Sequence, residues 1–403
     1  LINYYFKMRT NLKINILVFF LSITVFLLIY PHIFYKYFVL QMPFSEQAPQ
    51  SYFADWTVII SANKCKLFGY DVFMENPCDF WNRKHVYGSI LLFIPYSTNF
   101  NNLYSIYLPI FFNLLFLYVV ISHINFKKIE QVLIYILFIF SPATLLAIER
   151  FNFDVIIFLT LLLICYLRSN IFKLILITVI SLAKFYPIAI SISLFSKGFS
   201  KKNILYFVAF LSLVSLIFFL DRDNLAKVFS NVSQMEASHH LAFGIMHFAN
   251  FPSLNDQFPF EHLLIFSISL MSIVYFFSYL VLKKDKFLRN FNFEIYSDRL
   301  FFIGGVVCVS TYLLLSNYIY REIFIFLTLP YLLKTINQSH FAKLTILLIV
   351  TKLVLSPFTF YYIYSLNDDT FNIIKSLLDN LIMSIILASL VNVFFTRLKK
   401  LKN

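Results

Sequence analysis

Apolar runs of about 20 residues, each closed by a short polar or charged stretch, recur along the chain from Ile14 onward. A run of that length crosses a hydrocarbon core of about 30 Å as an α-helix. The pattern predicts an all-α, polytopic transmembrane bundle, with spans near 14–38, 103–123, 130–147, 154–167, 171–185, 187–196, 204–220, 262–282, 299–316, 323–336, 344–363 and 373–395, about twelve in all. Residues 87–96 are too few to span and read as re-entrant. Segments 171–185 and 187–196 are marginal, with a tilted pair packed against the bundle as the alternative. With no repeat or soluble boundary in sight, residues 1–403 read as one integral membrane domain. The first run lacks a small-residue cleavage site, so it reads as a retained helix or an uncleaved signal anchor.

The polar stretches give the bundle an orientation. Lys7, Arg9 and Lys13; Lys127 and Lys128; Arg168 and Lys173; Lys197, Lys201 and Lys202; Lys283, Lys284 and Lys286; Lys334 and Lys343; and Arg397, Lys399, Lys400 and Lys402 fall at every second boundary. All are cytoplasmic together only if the span count is even and both termini are inside. The alternate loops, 41–102, 148–153, the turn near Lys184, 221–261, the turn near Arg321 and 364–372, then face outward from a multi-pass inner or plasma membrane. The first and fourth far exceed the usual connection of about 4–6 residues, which marks them for binding or catalysis.

Composition agrees: 60% of residues are hydrophobic and 13% charged, against about 45–50% and 25% in soluble domains. The net charge of +13 lies in clusters between apolar runs. That is a membrane topology signal rather than a basic groove, so nucleic acid is not the expected partner; membrane lipids are. Cys165 and Cys308 sit in apolar runs and read as core residues. Cys65 and Cys78 share one polar loop and are either bridged, if the compartment is oxidising, or two free thiols.

Candidate chemistry gathers at the outward ends. Asp55, in an amphipathic stretch that ends at Gly69, is either a helix-starting carboxylate beside the interface anchor Trp56 or a general base whose pKa partial desolvation raises. Glu149, Arg150, Asn152 and Asp154 occupy six residues at a membrane edge, where polar groups must be paired or solvated. Glu149 and Arg150 can satisfy one another, while Asn152 and Asp154 alternate with aromatics and point one way. Lys184 lies on the side disfavoured for cations, held by a phosphate or snorkelling to headgroups. Arg321 suits bidentate phosphate contact, or else pairs with Glu322. His239, His240 and His247, with Asp221 and Asp223, have no compact ligand spacing. The three histidines suit donation to a phosphate or sugar hydroxyl better than the group suits a metal.

Taken in order, Ala54-Asp55-Trp56, Glu149 through Asp154, Ala183 through Pro187, Phe243-Gly244 and Asn317 through Arg321 followed by an apolar run to Pro330 resemble the C-type integral membrane glycosyltransferases. The likeness is to the family 87 group, which includes polyprenyl-phosphomannose-dependent mannosyltransferases. The resemblance implies a first-loop carboxylate, here Asp55, as general base, and an inverting transfer of a hexose from a polyprenyl-phosphate donor to a lipid or glycan acceptor. It implies basic residues on the donor phosphate, here Lys184 and Arg321, with Arg150 a third candidate. No cofactor and no divalent metal are implied, because fixed cations can stabilise the leaving phosphate. The first loop departs from the family pattern in having no second acid beside Asp55. The alternatives are an O-antigen-type polymerase or ligase acting on lipid-diphosphate glycans, and a lipid-glycan transporter or flippase. A transporter predicts ionisable groups near the bilayer midplane.

Overall fold

A computed structural model describes residues 53–94, 103–124, 128–197, 200–231, 242–246, 259–314, 317–366 and 370–400. The expected first span at 14–38 lies outside them, as do His239, His240 and His247. The regular secondary structure of the described residues is helical apart from one antiparallel pair of two-residue strands, β1 (Ala242–Phe243) and β2 (Asn317–Tyr318).

The helices are α1 (Ala54–Leu67), α2 (Leu108–Ser122), α3 (Ile129–Ile139), α4 (Pro142–Arg150), α5 (Asp154–Tyr166), α6 (Asn170–Ala183), α7 (Lys201–Leu220), α8 (Arg222–Asn231), α9 (Phe260–Lys284), α10 (Tyr296–Leu313), α11 (Leu329–Thr335), α12 (His340–Leu366) and α13 (Thr370–Lys400). Two 3-10 segments, Tyr186–Lys197 and Ile319–Thr328, are far longer than the usual three or four residues.

Twelve regular spans are not what the described helices show. Four stretches are long and apolar enough to cross a membrane: Leu103–Ser122, Lys201–Leu220, Phe260–Lys284 and Ile373–Thr396. A fifth arises if α3 and α4, bent by 48°, count as one. The bend has a local cause. Ser141 caps α4 by accepting from the Thr144 amide, and Pro142 at its first turn has no N–H to continue α3. The expected spans at 154–167 and 171–185 are helices of 13 and 14 residues, about 20 Å long and short of a bilayer. Those expected at 187–196 and 323–336 are 3-10 segments, the second continuing into α11.

The apolar core joins α5, through Val155, Ile157, Phe158 and Leu161, to α10 and the second 3-10 segment. Gly304 permits that approach, since a Cβ there would meet Leu327 Cβ at 2.4 Å. α7 and α9 turn Leu205, Leu216, Phe219, Ile265, Phe276 and Phe277 outward. In helices this apolar, such a face is what a lipid environment covers.

Candidate active site

The stretch read as amphipathic from its sequence forms α1, and ten of its 14 residues are buried. It begins after Phe53, whose φ of 59° is a left-handed conformation unusual for a bulky residue. Three ties fix it. The Asn63 amide donates to the Ile59 and Leu91 carbonyls at 2.8 Å each. Arg83 donates to the Ala54 carbonyl at 2.8 Å and is itself held by Asp79. Cys65 and Cys78 form a disulfide that joins the far end of α1 to the same loop. Sequence inspection alone missed Asp79 and Arg83, although their spacing of four is a usual one for ion pairs.

The Glu149-to-Asp154 turn comes to α1 from the opposite side. α4 ends at Arg150, and Phe151 reverses the chain at φ 41°, a second left-handed aromatic. Its ring packs edge-on against Phe53 and Trp56, with centroids 6.2 and 5.3 Å apart. This reversal aims the side chains on either side of it at one carboxylate. Arg150 Nε donates to Asp55 Oδ1 at 2.9 Å, and Asn152 Nδ2 donates to Asp55 Oδ2 at 2.6 Å. Arg150 therefore pairs with Asp55 and not, as was one expectation, with Glu149. Glu149 is buried next to it.

Asn152 is the hub. Its Oδ1 accepts from the Asp154 amide at 3.0 Å, closing the first turn of α5, and from Lys184 Nζ at 2.7 Å. Lys184, which follows the last residue of α6, also donates to Asp154 Oδ1 at 2.7 Å. Tyr186 donates to the same oxygen at 2.7 Å, and Arg321 Nε lies 3.7 Å from Asp154 Oδ2. Aromatic faces complete the enclosure: Lys184 sits 5.4 Å from the Tyr87 ring and 5.7 Å from that of Tyr320, and Arg321 5.0 Å from that of Tyr186.

Asp55, Arg150, Asn152, Lys184, Asp154 and Arg321, drawn from four separate stretches of sequence, thus form one bonded chain. Asn152 and Asp154 have no solvent exposure. The Arg150 and Arg321 side chains, 15% and 18% exposed, are its outlets.

Burial pushes the Asp55 carboxyl up, but the charge of Arg150, the hydrogen bond from Asn152 and the charge of Arg83 outweigh it. The net shift is below the ordinary carboxylate value. The rise expected from desolvation is thus reversed, and Asp55 stays ionised at neutral pH.

A cavity of about 590 Å³ borders this chain without being lined by it. Its walls include Phe73, Gly88, Leu92, Leu182, Phe185 and Phe218, with Lys66 and Asp221 among the few polar groups. It meets the site through Gly88, next to Tyr87, and through Leu182 and Phe185, on either side of Lys184. Asp221 accepts from Ser89 at 2.5 Å, whereas Arg222 and Asp223 form an exposed pair. Among the described residues, no group of three or more His, Cys, Asp or Glu is placed to hold a metal ion.

A second buried cluster was not anticipated. Lys352 of α12 contacts Glu322 at 3.0 Å and also Asp379 of α13, and Lys375 lies 3.7 Å from Glu322. Arg321 and Glu322, one alternative pair in the sequence, point to different clusters. The available signal was Lys375 and Asp379, four residues apart on one face of an apolar helix, with Lys352 alone in another. No family model, curated protein or solved structure matches the chain.

Proposed function

We propose that the protein is a membrane glycosyltransferase that moves one hexose from a polyprenyl-phosphate donor to a hydroxyl of a lipid or glycan acceptor. The observation that carries this reading is the gathering of an ionised acid, Asp55, and three cations, Arg150, Lys184 and Arg321, in one network around Asn152 and Asp154, beside an apolar-walled cavity. Asp55 removes the acceptor hydroxyl proton as the acceptor oxygen bonds to the anomeric carbon. The bond from that carbon to the phosphate oxygen breaks, and the phosphate departs with the electron pair, leaving the configuration inverted. Lys184 and Arg321 stabilise the negative charge that gathers on the phosphate. The neighbouring cavity, walled by Leu182, Phe185 and Phe218, accommodates the lipid chain of a substrate. Asp55 is engaged on both oxygens before substrate arrives, so binding must exchange one of its partners for the acceptor hydroxyl. In this reading the outward face of the membrane carries the site, and the sugar is a hexose of the mannose type.

Asp55→Asn keeps the shape and one of the two hydrogen bonds, since its single amide oxygen accepts from Asn152 or from Arg150 but not from both, while removing the base. The purified variant is expected to remain folded and to lose transfer from a lipid-linked sugar by at least about 100-fold, the lower end of general-base contributions. Full activity in that variant would end the proposal.

A transporter is the second reading, favoured by the buried charges of α12 and α13, since ionisable groups inside apolar helices often mark a path for substrate or protons. Flux of a lipid-linked sugar in proteoliposomes, without any covalent product, would replace the first reading with this one.

A further inference from the structure

The second cluster demands an account of its own. Glu322, Lys352, Lys375 and Asp379 are all almost fully buried, with side chains 1–5% exposed. Stability does not explain them, because buried ion pairs replaced by apolar residues of like volume are often neutral or stabilising. Nor does field strength, since two cations and two acids sum to no net charge. What the cluster does is fix one short piece of chain. Glu322 follows Arg321 in the 3-10 segment Ile319–Thr328, and the two side chains leave the backbone in different directions. Arg321 reaches Asp154 and stacks on Tyr186, while Glu322 is gripped by Lys352 and Lys375 from two other helices. Lys352 is held in turn by Asp379 and by the face of Phe243, whose strand β1 pairs with β2 immediately before the 3-10 segment. A long 3-10 segment has poorer hydrogen-bond geometry than an α-helix and needs such external anchors to keep one conformation.

We infer that the Glu322–Lys352–Asp379–Lys375 cluster is a positioning device for Arg321, setting where its guanidinium meets the donor phosphate. This rests on the reading of Arg321 as a phosphate ligand. Lys352 and its partners touch no substrate; they act through the 321–322 peptide. A guanidinium shifted by about 1 Å can lose up to about 100-fold in rate, so the device belongs to substrate handling and not to the core.

The test uses the full chain in nanodiscs, with undecaprenyl phosphate as the binding probe. Lys352→Met combined with Asp379→Leu removes one cation and one acid, so the cluster stays balanced and Glu322 keeps Lys375. The expected result is a donor KM raised about tenfold, the loss of one charge-assisted hydrogen bond, with the acceptor KM unchanged. Undecaprenyl phosphate binding weakens by the same factor, and hydrogen exchange over 319–323 speeds up. In an Arg321→Gln background the pair of substitutions adds nothing further. Additive losses in that background, or unchanged exchange over 319–323, would overturn the device. If Arg321→Gln alone leaves binding and transfer intact, the assignment of Arg321 to the phosphate falls instead. The exchange measurement still decides, independently, whether the cluster fixes the segment.

Discussion

His85 shows how a single buried side chain in the first loop makes the fold sensitive to pH. It packs against Phe73 and Tyr87, with ring centroids 5.3 and 5.8 Å away, and its amide donates to the Val72 carbonyl. Burial pulls its imidazole pKa down to about 4, from an ordinary 6.5. The folded loop therefore prefers the neutral ring, and between those two values the unfolded chain binds more protons. The contribution is fully present above pH 6.5, declines as pH falls, and is gone below about 4. Its size is on the order of 3 kcal/mol at most. Thermal midpoints in detergent should fall across that window, and His85→Phe should flatten the decline while keeping the packing. An unchanged slope in the variant would assign the effect to other groups.

At the same scale, some of the site was legible in the sequence. Asp55, Lys184 and Arg321 stood out because each is a charge at the edge of an apolar run, where something must hold it. Which partner holds it was not legible. The choice of Asp55 over Glu149 by Arg150 depends on the left-handed turn at Phe151, and no local propensity favours that conformation for a bulky aromatic. Lys352, Lys375 and Asp379 were missed because hydropathy over a window absorbs a lone charge among many apolar neighbours.

Between elements, the loop carrying His85 is docked onto α6 at one point of very close approach. The Gly88 amide donates to the Ala183 carbonyl at 3.0 Å, and a Cβ on Gly88 would lie 1.7 Å from the Leu182 carbonyl oxygen. That obstacle is backbone, so it cannot swing aside as a side chain does. Tyr87 on one side of the contact and Lys184 on the other both belong to the candidate site. Gly88→Ala should cost about 1–3 kcal/mol, as overpacking does, and should also lower transfer by parting Tyr87 from Lys184. Unfolding in denaturant and steady-state kinetics on one preparation would check both. A variant destabilised in this range yet fully active would separate the docking of the loop from the chemistry. Elements were read less well than residues. The apolar runs at 187–196 and 323–336 have the composition of spans, but the first is 3-10 and the second is 3-10 as far as Thr328 before it becomes α11, and hydrophobicity carries no information on that choice.

For the molecule as a whole, the positive-inside pattern assigns opposite sides to the two ends of the helices, and the fold supplies exposed positions at which to test it. Met74 lies in the disulfide-bonded loop next to the candidate site and is 53% exposed. Lys284 is exposed at the C-terminal end of α9, a 25-residue helix long enough to cross a bilayer. If the Lys283–Lys286 cluster is cytoplasmic, as clustered cations beside a span generally are, the outward placement proposed for the Asp55 network puts Met74 on the other side of the membrane from it. With Cys165 and Cys308 buried and Cys65 bridged to Cys78, cysteines introduced singly by Met74→Cys and Lys284→Cys should be the thiols open to a membrane-impermeant maleimide. Met74→Cys should label in intact cells and Lys284→Cys in inverted vesicles alone. Labelling of both from one side would break the topology and remove the outward placement of the site. It would leave intact the bonded chain from Asp55 to Arg321, whose geometry does not depend on which compartment it faces.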